Sequence, residues 1–190
     1  MATGTVRLHR VFRTTPEKLY RAFLDGGALA KWLSPYGFVC KVHHLEAKVG
    51  GTFRMSFQNF STGHEHSFGG EYLELVQNER LRYTDRFDDP GLPGEIHVTV
   101  SLKAVSCGTD ITIVQEGIPE AIPVEMCYLG WQESLMQLAT LVEPDSGLTG
   151  GAPYGHLQDH AGNRGAGRAG VRCHQRAGAT GTLVGTSRVH

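Results

Sequence analysis

Few residues in this 190-residue chain are of types and spacings suited to chemistry. His43-His44 and His64-Glu65-His66 are the nearest approach to a metal site. Alternate residues of a strand point the same way, so His64 and His66 are able to converge, whereas adjacent His43 and His44 point to opposite faces and cannot chelate together. Ser61–Glu65 reads as a solvated loop with no carboxylate or thiol at ligand spacing, so no metal is expected. Tyr83, Asp85, His97 and Glu116 are the candidates for acid–base work, with nothing in their spacing that brings them together.

Nucleophilic catalysis has less support. There is no Gly-x-Ser-x-Gly, and the glycine pairs 26-27, 50-51 and 69-70 lack the strand–loop–helix context of a phosphate cradle. Cys40, Cys107, Cys127 and Cys173 form no C-x-x-C pair, and those in the first 144 residues read as small buried hydrophobes. Unpaired thiols, an amino terminus interrupted by Arg7, His9, Arg10 and Arg13, and no membrane-length apolar run give an expected cytoplasmic setting.

The elements that must position these groups follow from periodicity. Thr5–Phe12 reads as a strand. Thr15 and Pro16 open a helix running to about Leu24, Asp25-Gly26-Gly27 breaks it, and a second short helix spans Ala28–Leu33. The period then changes to two. Strands are expected at Phe38–Ala47, Thr52–Asn59, His66–Val76, Arg80–Phe87, Glu95–Ala104 and Asp110–Glu116. In the second of these, Phe53, Met55 and Phe57 share one face, opposite Arg54, Ser56 and Gln58. Residues 123–144 form a long amphipathic helix whose Met126, Leu129, Leu135, Leu138 and Val142 fall on one stripe. Consecutive strands joined by short turns imply an antiparallel meander, and the last helix must cover its apolar face.

Composition divides the chain at about residue 144. All eight Phe and both Trp precede that point. Residues 145–190 hold 11 Gly and no Lys, Glu, Phe, Trp, Ile or Met, too little apolar surface to offset an ordering cost of roughly 1–2 kcal/mol per residue. The expected organisation is a folded domain at 5–144 followed by a disordered Gly/Arg-rich tail at 145–190. The first part carries 13 Lys and Arg against 17 Asp and Glu, the tail five Arg against two Asp. An acidic domain without a basic stripe is not expected to bind nucleic acid.

Six segments then carry a resemblance: Phe12-Arg13-Thr14-Thr15-Pro16-Glu17-Lys18-Leu19-Tyr20-Arg21-Ala22-Phe23, Lys31-Trp32-Leu33-Ser34-Pro35, Lys48-Val49-Gly50-Gly51-Thr52-Phe53, Gly70-Glu71-Tyr72-Leu73-Glu74-Leu75, Glu79-Arg80-Leu81-Arg82-Tyr83-Thr84 and Gly130-Trp131-Gln132-Glu133-Ser134-Leu135. In that order they resemble the START and birch-pollen-allergen superfamily (SRPBCC), and most closely the family named after the activator of heat-shock protein 90 ATPase homologue. The resemblance spans about residues 5–143. Glu46 departs from it, since an Asp is expected before the Lys-Val-Gly-Gly turn, and the tail has no counterpart. It implies an α+β helix-grip fold: a curved antiparallel sheet of six to seven strands wrapped on a long C-terminal helix, with two short helices after the first strand.

A helix laid across a curved sheet leaves room for a ligand between the layers. Alternation and the helix face give the expected wall as Phe53, Met55, Phe57, Tyr83, Asp85, Ile111, Ile113, Gln115, Trp131 and Leu135, with Trp32 and Phe38 capping the entrance. Gln115 shares a face with Ile111 and Ile113, and a polar group aimed into an apolar layer needs a partner. The expected function is non-catalytic binding of a small hydrophobic or amphipathic molecule, with no cofactor. The alternatives are an enzyme using the same cavity, with the acid–base chemistry of the polyketide cyclases that the superfamily includes, or a chaperone-associated or stress-response interaction module. A protein partner or a homodimer stays open. Because residues 145–190 lack a core of their own, deleting them is expected to leave the melting temperature almost unchanged. A fall of several degrees in a thermal melt of the truncated protein would show that the tail packs on the domain.

Overall fold

The computed structural model describes residues 4–143, so the expectation of a disordered segment at 145–190 lies outside the described residues. The elements run β1 (Gly4–Phe12), α1 (Pro16–Ala22), α2 (Gly26–Trp32), β2 (Phe38–Leu45), β3 (Thr52–Asn59), β4 (Glu65–Val76), β5 (Arg80–Phe87), β6 (Ile96–Val105), β7 (Gly108–Ile118) and α3 (Val124–Val142). This is the expected order. The boundary at α2 differs for a local reason. The Asp25 carboxylate accepts a hydrogen bond from the Ala28 amide at 2.7 Å, so Asp25-Gly26-Gly27 starts the second helix as well as ending the first.

Seven strands form one antiparallel sheet in the order β1-β7-β6-β5-β4-β3-β2. Strands β2 to β7 are a meander, and the helix pair α1–α2 carries the chain from β1 at one edge to β2 at the other. Two glycines let the central strands close up. A Cβ at Gly70 would collide with the Thr84 carbonyl oxygen on β5, and one at Gly69 would stand 2.5 Å from the Phe53 carbonyl on β3. Strand β4 is thus pinched between its neighbours where a side chain would hold them apart.

Each edge of the sheet has its own helix. α2 packs on β2, whereas α3 packs on β1, starting where Val124 meets Gly4 and ending where the Glu143 carboxylate accepts from the Arg13 amide at 3.1 Å. The two helices meet in the middle. The Ser134 hydroxyl reaches the Leu33 carbonyl at 2.7 Å, and the Gln137 amide donates to the Ser34 carbonyl at 2.5 Å. These side chains satisfy acceptors at the C-terminal end of α2 that its own ladder leaves free.

The stripe read on α3 is half right. Leu135, Leu138 and Val142 are buried, but Met126 is 65% and Leu129 55% exposed. The side of the helix turned inward over its first half is that of Cys127, Gly130, Trp131 and Ser134. The outer face of the sheet also departs from simple alternation. A bulge between Val42 and His44 puts Val42 and Leu45 both against Gly26 and turns both His43 and His44 outward, onto Ser56 and Thr52. The adjacent histidines therefore share a face, contrary to alternation. Ser56, on that outer face, is itself wholly buried, with His43 2.8 Å away.

Trp32 is fully buried between the short helices. Its indole N–H donates to the Ala22 carbonyl at 2.9 Å, and its ring meets Phe23 edge-on at 4.7 Å. Replacing Trp32 by Ala is expected to destabilise the fold by about 3–5 kcal/mol, and by Phe by about 1–3 kcal/mol, because Phe keeps most of the volume but loses the donor. Urea denaturation of both variants checks the ranking.

Candidate functional site

With α2 over one edge of the sheet and α3 over the other, a half-open cavity of about 180 Å³ lies above the middle strands. Its floor is set by register. Tyr72 on β4 stands opposite Tyr83 on β5, Tyr83 opposite Val98 on β6, and Val98 opposite Gln115 on β7, so one row of inward residues crosses four strands. Aromatic rings close the floor edge-to-face: Phe53 lies 5.7 Å from Tyr83, and Phe57 lies 4.7 Å from Phe68. Such pairs contribute about 0.5–1.5 kcal/mol each beyond their burial.

Seven of the twelve expected residues line this cavity: Phe53, Met55 and Phe57 from β3, Tyr83 and Asp85 from β5, Gln115 from β7, and Trp131 from α3. The other five are placed elsewhere. Ile111 and Ile113 share the inward face with Gln115 but lie further along β7, opposite Arg10 and Leu8 of β1. There they are sealed in solid core with Leu135. Trp32 packs between α1 and α2 rather than capping an entrance, and Phe38 opens β2 half-buried, away from the wall. Leu29, Leu33 and Pro35 border the cavity on that side.

Sequence reasoning missed Phe68, Tyr72 and Phe87, whose membership depends on which strand pairs with which. It also missed Cys127, Gly130 and Ser134, because polar and small residues carry no weight in an apolar stripe. Gly130 has a recognisable signal, being a glycine inside a helix, where it costs roughly 1 kcal/mol relative to Ala. A Cβ there would meet nothing within 4 Å. Its flank of the helix faces the cavity, so the missing side chain adds directly to the space.

Polar groups in the wall are few. The Trp131 indole donates to the Gln115 side-chain amide oxygen Oε1 at 2.9 Å, so the oxygen of the inward polar group on β7 has its partner. Asp85 is different: its Oδ1 is buried with no hydrogen-bond partner among the described residues. Burial pushes the Asp85 carboxyl up from 3.8 to about 7, against the downward pull of the Arg86 backbone amide. Burial also lifts Tyr72 to about 12 and Tyr83 well above the ordinary phenol range, the charge of Asp85 adding to the latter.

The remaining candidates stay outside. His97 is on the outer face, 3.4 Å from the Glu95 carboxylate and opposite exposed Glu116. The rings of His64 and His66 do converge, at 4.5 Å, yet no group of three metal-ligating side chains forms among the described residues. The Ser56–His43–Glu65 cluster lacks the geometry of a nucleophilic relay. Nε2 of His43 faces both Ser56, at 2.8 Å, and Glu65, at 3.8 Å, where a relay needs the carboxylate on the other ring nitrogen. Hydrogen bonds from Ser56 and Lys41 hold Glu65 below the usual carboxylate range. Cys40 is buried and its thiol is raised to about 11, as expected of an inert hydrophobe, whereas Cys107 lies exposed in the β6–β7 turn, contrary to that reading.

An α+β chain with a seven-stranded antiparallel sheet, two short helices and a long C-terminal helix framing a cavity is a helix-grip protein. Residues 13–143 match the family described as Activator of Hsp90 ATPase homolog 1-like protein, and the chain belongs to that family, within the SRPBCC superfamily. Protein CV1439 from Chromobacterium violaceum has a crystal structure and is 64% identical. The match covers 74% of this chain and 98% of that one, with a TM-score of 0.73. A Rhodobacter sphaeroides protein (21% identity, 74% and 95% covered, TM-score 0.65) and the AHSA1 protein of Silicibacter pomeroyi (21%, 73% and 96%, 0.63) share the fold. No curated protein matches the chain.

The Asp85 carboxyl also sets a pH dependence. An acid whose folded pKa lies above its unfolded value binds more protons when folded, so stability falls as pH rises between about 4 and 7. Asp85→Asn removes that penalty. It is expected to stabilise the protein by roughly 1–4 kcal/mol near pH 8 and to make little difference near pH 4, as thermal melts at the two pH values will show.

Proposed function

We propose that this protein binds a small hydrophobic or amphipathic molecule in the cavity between the middle strands and α3. The observation that carries the reading is the cavity of about 180 Å³ lined by aromatic side chains, with one unpartnered buried carboxylate oxygen at its wall. A core built only for stability is close-packed, and a half-open cleft of this size among aromatic side chains gives up packing contacts that it could have made. Gly130 supports the same reading, since a helix-interior glycine at the wall gives up stability and keeps the space. No helix among the described residues is long and apolar enough to cross a membrane, and the free thiols Cys40, Cys107 and Cys127 favour a cytoplasmic setting.

A second reading has one specific observation in its favour. Asp85 is raised into the neutral range beside Tyr83, which is how a general acid–base group is prepared. On that reading the ligand is a substrate, and Asp85 moves a proton on it.

Filling the cavity separates binding from folding. A neutral bicyclic aromatic alcohol, 2-naphthalenemethanol, is expected to bind the native protein saturably. Burying about 300 Å² of apolar ligand surface gives roughly 7–8 kcal/mol before association costs, so micromolar affinity is near the ceiling. Gly130→Leu puts a branched side chain into the space and is expected to weaken binding at least about tenfold while leaving the melting temperature equal or higher, since Leu is the better helix former. Titration calorimetry on both proteins decides. If the native protein takes up no alcohol, or the Leu variant binds as well as the native one, the cavity is not the binding site.

A further inference from the structure

The cavity has a one-sided electrostatic character. Asp85 is the only charged residue at its wall, and no Lys, Arg or His borders it among the described residues. Of the other polar groups, the Tyr72 and Tyr83 hydroxyls are uncharged, and two more side chains are already engaged. Ser134 is held on the carbonyls of Leu33 and Gly130, and the Gln115 side-chain oxygen Oε1 is taken by Trp131. Asp85 shares the wall with aromatic rings, whose faces carry a negative quadrupole that attracts cations. Phe53, Tyr72 and Tyr83 lie within 6.1 Å of one another by centroid, and the charge of Asp85 acts directly on Tyr83.

Resting on the binding reading above, we infer that the ligand is an organic cation: an apolar body of about two fused rings that carries a protonated amine, with the ammonium donating to Asp85 Oδ1 among the ring faces of Phe53, Tyr72 and Tyr83. The unpartnered oxygen supplies the acceptor that an ammonium needs, and the rings stabilise the rest of its charge. An anionic ligand is refused by the same groups, since it would bury a second negative charge beside Asp85 with no cation to offset either. A carboxyl near neutrality also makes a workable resting state. It is half-protonated while unpaired, which relieves the cost of burying a charge, and it ionises when the ammonium arrives.

Three molecules of one shape test the charge apart from the shape: 2-naphthylmethylamine, 2-naphthalenemethanol and 2-naphthoate, titrated calorimetrically into the native protein and into Asp85→Asn at neutral pH. In the native protein the amine is expected to bind at least about tenfold more tightly than the alcohol, and the naphthoate most weakly of the three. In Asp85→Asn the amine-to-alcohol ratio is expected to fall to about one. An alcohol that binds as tightly as the amine, a naphthoate that binds best, or a preference that survives Asp85→Asn overturns the inference while leaving the cavity as a binding site. Binding of none of the three overturns both. Should Asp85→Asn not fold, the order of the three affinities in the native protein decides alone.

Discussion

Everything above the sheet depends on where α2 and α3 are tied together. Ser134 and Gln137 reach the last carbonyls of α2, and that junction fixes the spacing of two helices that sit on opposite edges of the sheet. Each helix covers the edge strand beneath it. The middle strands, closely spaced at Gly69 and Gly70, are left with aromatic side chains facing a gap beneath α3. Closing the gap would pull α3 off β1, where Leu135, Leu138 and Val142 belong to the buried core. The cavity is the residue of a geometric conflict that the hydrogen bonds settle in favour of the edges.

Within that frame the chemistry is sparse. In the wall, Gln115, Trp131 and Ser134 have hydrogen-bond partners, and the Asp85 Oδ1 is buried with none among the described residues. An isolated charge in such a place is costly, and the carboxyl responds by shifting towards its neutral form. The outer face of the same sheet shows the opposite solution. There Lys41, His43, Ser56 and Glu65 satisfy one another, and Glu65 is held in its ionised form. The contrast sets the inner carboxyl, with its unpartnered oxygen, apart from the outer one.

Much of the architecture was legible because period and punctuation are local. The alternation Phe53, Met55, Phe57 gave its strand without error, and the row of turns implied a meander. What failed was non-local or involved small residues. Met126 and Leu129 fit an apolar stripe but look outward, because the inward flank of α3 is occupied by Cys127, Gly130 and Ser134, and hydrophobicity is blind to a face defined by space. His43 and His44 defeat alternation through one inserted residue. Ile113 and Gln115 share a face yet meet core and cavity respectively, a difference along one strand that alternation cannot register. Trp32 reads as a lid from its place at a helix end, but its indole turns back to Ala22. The cross-strand row from Tyr72 to Gln115 needs the register, which no single segment contains.

The chain has two indoles, and their settings differ. Trp32 is sealed among side chains with its N–H fixed on a backbone carbonyl. Trp131 borders the cavity and holds Gln115, so a ligand bound there would lie against its ring. On the proposed binding reading, emission from Trp131 would change with occupancy while that from Trp32 would stay constant, and the difference between them would report the filling of the site without any label.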